Sequence, residues 1–226
     1  MTDFLLIRHG ETDWNRELRF QGHIDVPLND IGLLQAQRLQ QRIVDWLPQW
    51  QQNARVPTRV ISSDLQRAQQ TAQPVAQALG LQAQVSTGLR EQCYGCFEGL
   101  KAIEIKQQYP EEWQQWLRFD PTYAVPDAES LQNFYQRVVS TLQQLAHTYQ
   151  GEHLVVVTHG GVLDMIWRHA NAQSLHGPRA CEIPNAGLNQ VRWQADALHI
   201  QQWADTEHLA GMPPQPVYRT TELKNI

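Results

Sequence analysis

No stretch of these 226 residues approaches the roughly 18 consecutive apolar residues that a membrane span needs, and no charged segment followed by an apolar core opens the chain. The expectation is a soluble, cytoplasmic protein with no membrane partner. Basic charge is equally scarce. Lys and Arg number 18 against 23 Asp and Glu, a net charge of −5, and no basic run suits a nucleic-acid backbone. No nucleic acid is expected as partner, although a small anion still fits a local basic pocket. Cysteine is limited to Cys93, Cys96 and Cys181, an odd number that makes a poor disulfide framework and reads as reduced thiols. The first two form a CxxC spacing that could be half of a zinc site or a redox pair. No second CxxC and no HxxxH completes it, so neither a metal nor another cofactor is expected.

What is present is a chain with 42% hydrophobic residues, long enough for one well-cored domain, read as residues 1–209 followed by an extended surface tail over 210–226. "FLLI" at 4–7, "VIS" at 60–62 and "LVVVT" at 154–158 read as buried strands, the last with the β-branched run of a parallel sheet covered on both faces. Helical patterns follow each. After Asp30 the positions Leu33, Leu34, Leu39, Ile43 and Leu47 fit a helix ending near Pro48. Asp64 is placed to cap a second helix running through Leu65, Ala68, Ala72 and Val75 to Gly80, with Pro74 expected to kink it or restrict its first part. Ser130 begins a third, whose Leu131, Phe134, Val138, Leu142 and Leu145 recur at core spacing. "NQVRW" and "LHIQQW" alternate as late strands in a hairpin around residues 195–197. The class is α/β: a mostly parallel central sheet with helices on both faces.

Chemistry-bearing residues concentrate where strands end. Arg8 and His9 follow the first strand, Ser62 and Ser63 the second with Arg67 one turn into its helix, and His159 and Gly160 the third. In an open α/β sheet the carboxyl ends of strands form the ligand crevice, so these separated segments can converge, with Gly10 permitting close backbone approach.

The blocks "RHGETDWN" at 8–15, "QGHIDVPLNDIG" at 21–32, "SSDLQRAQQTA" at 62–72, "LRE" at 89–91, "YGCFEG" at 94–99 and "THGGV" at 158–162 stand in one order. Together they resemble the histidine phosphatase superfamily, the phosphoglycerate mutase-like family, over most of residues 4–165. The resemblance implies a phosphoglycerate mutase-like fold and a small phosphorylated substrate. It implies that His9 is the nucleophile, that Arg8 and Arg67 hold the nonbridging phosphoryl oxygens, and that His159 joins them while Gly160 opens a helix whose amides favour an anion. By the same carry-over Asn15 orients phosphate oxygen, Gln21 and Gly22 line the cleft, and Glu91 is the proton donor. Glu91 has competing readings: a salt bridge to Arg90 or a neighbouring basic group, or replacement by the nearby Glu98. His23 lies inside a matching block and is a candidate to touch substrate.

Mutases of this fold carry paired arginines after the YG block and an HGNS-like second histidine. Here residues 100–129 offer Lys101, Lys106 and Arg118 as cations, and the second histidine stands in "HGGV". The reading is therefore a metal-independent phosphomonoesterase, with mutase-type transfer or noncatalytic binding of a phospho-ligand as alternatives, acting as monomer or homodimer. Tyr109, Trp113, Trp116, Phe119 and Tyr123 make residues 100–129 a helical insertion, either a lid over the pocket or a small subcore.

Overall fold

A computed structural model describes residues 1–216. The chain runs β1 (Thr2–Arg8), α1 (Asp13–Arg16), α2 (Asp30–Gln52), β2 (Arg59–Ser62), α3 (Gln66–Leu79), β3 (Ala83–Val85), α4 (Ala102–Gln108), α5 (Pro110–Trp116), α6 (Leu131–Thr148), β4 (His153–Thr158), α7 (Gly160–Ala170), β5 (Leu188–Gln194) and β6 (Ala197–Asp205). The strands form one sheet in the order β3-β2-β4-β1-β5-β6, parallel from β3 to β1 and antiparallel from β1 to β6. The expected mostly parallel α/β sheet is thus present. Alternation along the strands sends Phe4, Leu6, Leu154 and Val156 towards α6 and α7, and Leu5, Ile7, Val155 and Val157 towards α2 and α3, which gives a core on each face.

Several local expectations change. Leu33 and Leu34 are exposed; the buried face of α2 is Gly32, Gln35, Ala36, Leu39 and Ile43, because the start of that helix packs on the loop after β1 and Gln35 accepts a hydrogen bond from the Glu11 amide. α2 also continues past Pro48 to Gln52, and α3 is continuous across Pro74. Fully buried Ala68, Ala72 and Val75 hold α3 in place against the roughly 3 kcal/mol that an internal proline costs. Asp64 does not cap α3. Its carboxylate takes both ends of the Arg90 guanidinium at 2.8 and 2.6 Å, and Leu65 occupies the cap position. The hairpin turns at Ala195 and Asp196, both at positive φ, as a two-residue connection between antiparallel strands favours.

Residues 100–129 have a core of their own. Phe20, Phe97, Ile105 and Trp113 are buried together, with Trp116 stacked on Trp113 at 5.3 Å and edge-on to Phe20 at 5.6 Å. Hydrogen bonds from the Phe20 amide to the Leu100 carbonyl and from the Gly99 amide to the Phe20 carbonyl tie the insertion to the loop before α2. The subcore reading therefore describes its inner side. The first residues of the tail are not a free surface segment: Met212 packs on the α2 and α3 side of the sheet, and both polar ends of the Gln215 amide bond the backbone of Asn185. The rest of the expected tail, residues 217–226, lies outside the described residues. Among the described residues no helix is long and apolar enough to cross a membrane.

Phe134 is fully buried between α6 and the start of α7, where its ring approaches Gly161. Phe134→Ala is expected to lower the unfolding free energy by about 3–5 kcal/mol in urea titrations.

Candidate active site

The parallel register places Arg8 opposite Thr158, and Val157 opposite Ser62, so the residues following β1, β2 and β4 meet at one edge. The His9 amide bonds the Thr158 carbonyl at 2.8 Å and the Ser63 amide bonds the Val157 carbonyl at 2.9 Å, extending the ladder one step beyond the sheet. A Cβ on Gly10 would lie 2.7 Å from the Gly32 carbonyl oxygen, so the turn after His9 needs glycine to rest against the start of α2. Thr71 of α3 accepts from the Gly10 amide at 2.9 Å, and Asn185 donates to the His9 carbonyl at 3.0 Å.

His9 and His159 are buried, with ring centroids 5.2 Å apart. Burial, reinforced by Arg67 and Arg8, holds both imidazoles well below the ordinary histidine range, so both are neutral at pH 7. Their partners define the tautomers. His9 Nδ1 lies 2.7 Å from the Gly10 carbonyl, which only accepts; Nδ1 therefore carries the proton and Nε2 the lone pair. His159 Nδ1 receives a hydrogen bond from Arg67 Nε at 3.3 Å, so its proton is on Nε2, which has no partner among the described residues. One imidazole thus presents a lone pair and its neighbour presents a donor.

Two guanidinium groups complete the electropositive end. Arg67 is fully buried and donates to the carbonyls of Gly22 at 2.8 Å and Ile24 at 2.9 Å; burial lowers its pKa to about 10. Arg8 donates to the Ile183 carbonyl at 2.6 Å while its Nε is buried and unpartnered among the described residues; burial, then Arg179, brings its pKa to about 10. Both stay charged at pH 7.

Glu91 does not pair with Arg90, and Glu98 does not take its place, while its charge favours the nearby Arg8 and Arg67. Arg90 is engaged by Asp64, and Glu98 Oε1 accepts from the amides of His23 and Tyr94. The Glu91 carboxylate instead accepts from the amide of Gly161 at 3.0 Å and that of Gln92 at 3.0 Å, which holds it against the first turn of α7. A Cβ at Gly161 would fall 2.2 Å from Glu91 Oε1. His23 does not line the cleft; its Nε2 donates to the Glu91 carbonyl at 2.9 Å.

These groups open on a cleft of about 480 Å³ whose walls include Arg8, His9, Asn15, Gln21, Gly22, Arg67, Glu91 and Gly160. Asn15 closes a capping box with Thr12, and its Oδ1 also accepts from Asn185; Gln21 accepts from the Thr12 hydroxyl. His159 lies behind this wall, joined to it through Arg67. The cleft therefore gathers the expected site residues other than His159, which stands behind its wall. It can bind a compact dianion, offer a nitrogen lone pair to it, and hold a carboxyl group beside it.

Residues 4–206 match the family described as the histidine phosphatase superfamily (branch 1). The chain belongs to that superfamily. This superfamily member is 35% identical over 210 residues to "Phosphoglycerate mutase-like protein 4" of Arabidopsis thaliana, covering 92% of this chain and 86% of the relative. It is 32% identical over 214 residues to "Metal-independent phosphoserine phosphatase" of the same plant, covering 94% and 85%. Among solved structures, Bacillus stearothermophilus YhfR superimposes with a TM-score of 0.80 at 27% identity, covering 92% of this chain and all of that one.

Sequence reasoning missed four contributors to this superfamily member's site, three on the cleft wall and Asn185 behind it. Arg179, Asn185 and Gln215 arrive from segments with no motif, and Tyr94 stood in a recognised block without a role. Cys181 also lines the cleft, but burial pushes its thiol up to about 12 and leaves it protonated. The CxxC pair is separate: Cys93 bonds the Asp127 carbonyl, and among the described residues no three His, Cys, Asp or Glu groups could together hold a metal ion.

An unfolded chain takes up protons on His9 and His159 near pH 6.5, whereas the folded protein does so only at lower pH. The unfolded state therefore binds more protons in that window, and stability held above pH 6.5 is lost as pH falls towards the folded-state pKa. Urea titrations at pH 7.5 and 5 are expected to register this loss, with a smaller one in His9→Asn/His159→Asn.

Proposed function

We propose that the protein is a phosphomonoester hydrolase that works through a phosphohistidine on His9, with no metal or other cofactor. The observation that carries this reading is the tautomer pair: His9 with its lone pair on Nε2, beside His159 with an Nε2–H donor, between two buried guanidinium groups. Membership of the histidine phosphatase superfamily and the likeness to a relative named as a metal-independent phosphoserine phosphatase support it.

In the first half-reaction His9 Nε2 attacks phosphorus in line. The P–N bond forms as the ester P–O bond breaks, and Glu91 delivers its proton to the departing alcohol oxygen. In the second, Glu91 takes a proton from water as that water's oxygen bonds phosphorus, and His9 leaves with its lone pair. Arg8 and Arg67 hold the nonbridging oxygens. The His159 Nε2–H adds a donor where charge accumulates, and the α7 amino end favours the anion. Asn15, Gln21, Gly22 and Gly160 shape the phosphoryl seat. The acting unit is the single domain of residues 1–209 with the start of the tail, whose Gln215 lines the cleft, cytoplasmic, as monomer or homodimer.

Mutase-type transfer is the second reading, favoured by the likeness to a phosphoglycerate mutase-like relative. It needs the phosphoenzyme to persist until an acceptor alcohol replaces the first product. Lys101, Lys106 and Arg118 line neither this cleft nor the cavity beside it, so the insertion offers no cation to grip such an acceptor. Noncatalytic binding would use the cations but not the lone pair and carboxyl group.

Phosphate release from a panel of phosphomonoesters in EDTA, with 3-phosphoglycerate isomerisation followed in parallel, tests the choice. Release without isomerisation is expected, and His9→Ala is expected to reduce it at least about 10,000-fold while the circular dichroism spectrum is preserved. Isomerisation that depends on bisphosphoglycerate would move the same residues to a mutase, and normal turnover by a folded His9→Ala protein would sink the covalent route.

Glu91→Gln is expected to slow alkyl phosphates by about 100- to 10,000-fold and p-nitrophenyl phosphate far less, since only the alkoxide needs a proton to leave. Gly161→Ala, which drives a methyl group into the Glu91 carboxylate, is expected to lose activity with the same leaving-group dependence. Equal losses for both ester types would remove Glu91 from the role of acid.

A further inference from the structure

Beside the cleft lies a second cavity, about 100 Å³, walled by Trp116, Phe119 and Tyr123 of the insertion together with Asp164 and Gly161 of α7. Two residues belong to the walls of both spaces, Tyr94 and Arg179. Arg8, His9 and Arg67 face only the cleft. Glu91 marks the direction, because its carboxylate rests on the Gly161 amide and Gly161 faces the aromatic cavity. On the hydrolase reading, on which this step of the inference rests, a proton donor stands at the leaving oxygen. What lies beyond Glu91 is then the leaving-group side, where Arg168 and Arg179 line the cavity; Arg168 is engaged by Asp164 and by loop carbonyls, and of the two Arg179 alone also reaches the cleft.

Arg179 is carried by the loop between α7 and β5, and that loop is fixed from beneath. Arg168 donates to the carbonyls of Ser174, Gly177 at 3.1 Å and Pro178 at 2.8 Å, and its Nε bonds Asp164 at 3.2 Å, one helical turn earlier. Asp164 Oδ1 lies 4.0 Å from Arg179 Nε. A Cβ on Gly160 would stand 3.6 Å from one end of the Arg179 guanidinium, next to the phosphoryl seat. The same helix that opens behind His159 thus aims this cation with its second turn. A planar guanidinium matches a carboxylate through two parallel hydrogen bonds, and the rings beyond it suit the short apolar stem that would carry such a group.

We propose that Arg179 is a specificity-determining residue that takes a carboxylate on the leaving-group side of the substrate, with Asp164 and Arg168 as its positioning residues.

The test uses matched pairs that differ at the carboxylate: 3-phosphoglycerate with glycerol 3-phosphate, and O-phosphoserine with O-phosphoethanolamine. The unaltered protein is expected to prefer the carboxylate-bearing member of each pair by about 10- to 100-fold in kcat/KM, carried mainly by KM, the worth of a hydrogen-bonded charge. Arg179→Met is expected to bring the ratio within about threefold of unity, and Arg179→Lys to retain an intermediate ratio because charge survives without the fork. Should the Met variant fail to fold by circular dichroism, the ratio in Arg179→Lys decides. Calorimetric titration of His9→Ala with the same pairs, with and without Arg179→Met, reads the preference as a ratio of Kd values without turnover. An unaltered protein that hydrolyses no ester would defeat the hydrolase reading and leave Arg179 to be decided by this titration. A ratio near unity in the unaltered protein overturns the proposal. So does equal loss for both members in Arg179→Met, which would make Arg179 a third phosphoryl cation.

Discussion

Two guanidinium groups, Arg8 and Arg67, gathered around two imidazoles at one edge of a sheet are a costly arrangement, and the surrounding chain is organised to offset that cost. An isolated buried cation loses several kcal/mol of hydration, and like charges nearby add to the loss. Arg67 recovers hydrogen bonds from the Gly22 and Ile24 carbonyls and Arg8 from that of Ile183, while the Glu91 carboxylate favours both charges. The loops at 21–24 and 181–185 consequently turn their carbonyls inward, and their paths are the cleft walls. The imidazoles stay neutral for the same reason: burial disfavours their charged form, and the neighbouring guanidinium groups disfavour it further. A strong field for anions and an unprotonated nitrogen are two results of one electrostatic constraint.

The parts of the fold visible in the sequence are those where local pattern and global burial agree. β1 and β4 are continuous apolar runs because helices cover both faces, and Phe134, Val138 and Leu142 repeat along α6 because one side meets the sheet. β3 escaped notice because Ala83, Gln84 and Val85 are all exposed at the sheet edge and carry no pattern. The face of α2 was misjudged because Leu33 and Leu34 look like core on paper, whereas the helix start is set by Gly32 and Gln35 against the Glu11 backbone.

Within the site the same division holds. Arg8, His9, Arg67 and His159 could be read because each sits at or just beyond a strand end. Arg179 and Asn185 could not. Each joins the site only through a tertiary device, the carbonyl staple of Arg168 in one case and the bonds to His9 and Asn15 in the other, and neither device leaves a local signal. The aromatic insertion shows how a two-way reading resolves: Trp113 is inward packing, while Trp116 packs on it and also faces the neighbouring cavity.

The position of β1 has a consequence for biosynthesis. Residues 2–8 precede both of their partners in the sheet by a long stretch of chain, residues 153–158 on one side and 188–194 on the other. The strand that carries His9 must wait for most of the chain before either edge is paired, and Gln215 joins the backbone of Asn185 later still. Such long-range closure is entropically slow. A growing chain accordingly carries His9 long before residues 153–194 exist to close the sheet on either side of it, so the cleft around that imidazole forms only once those segments have joined.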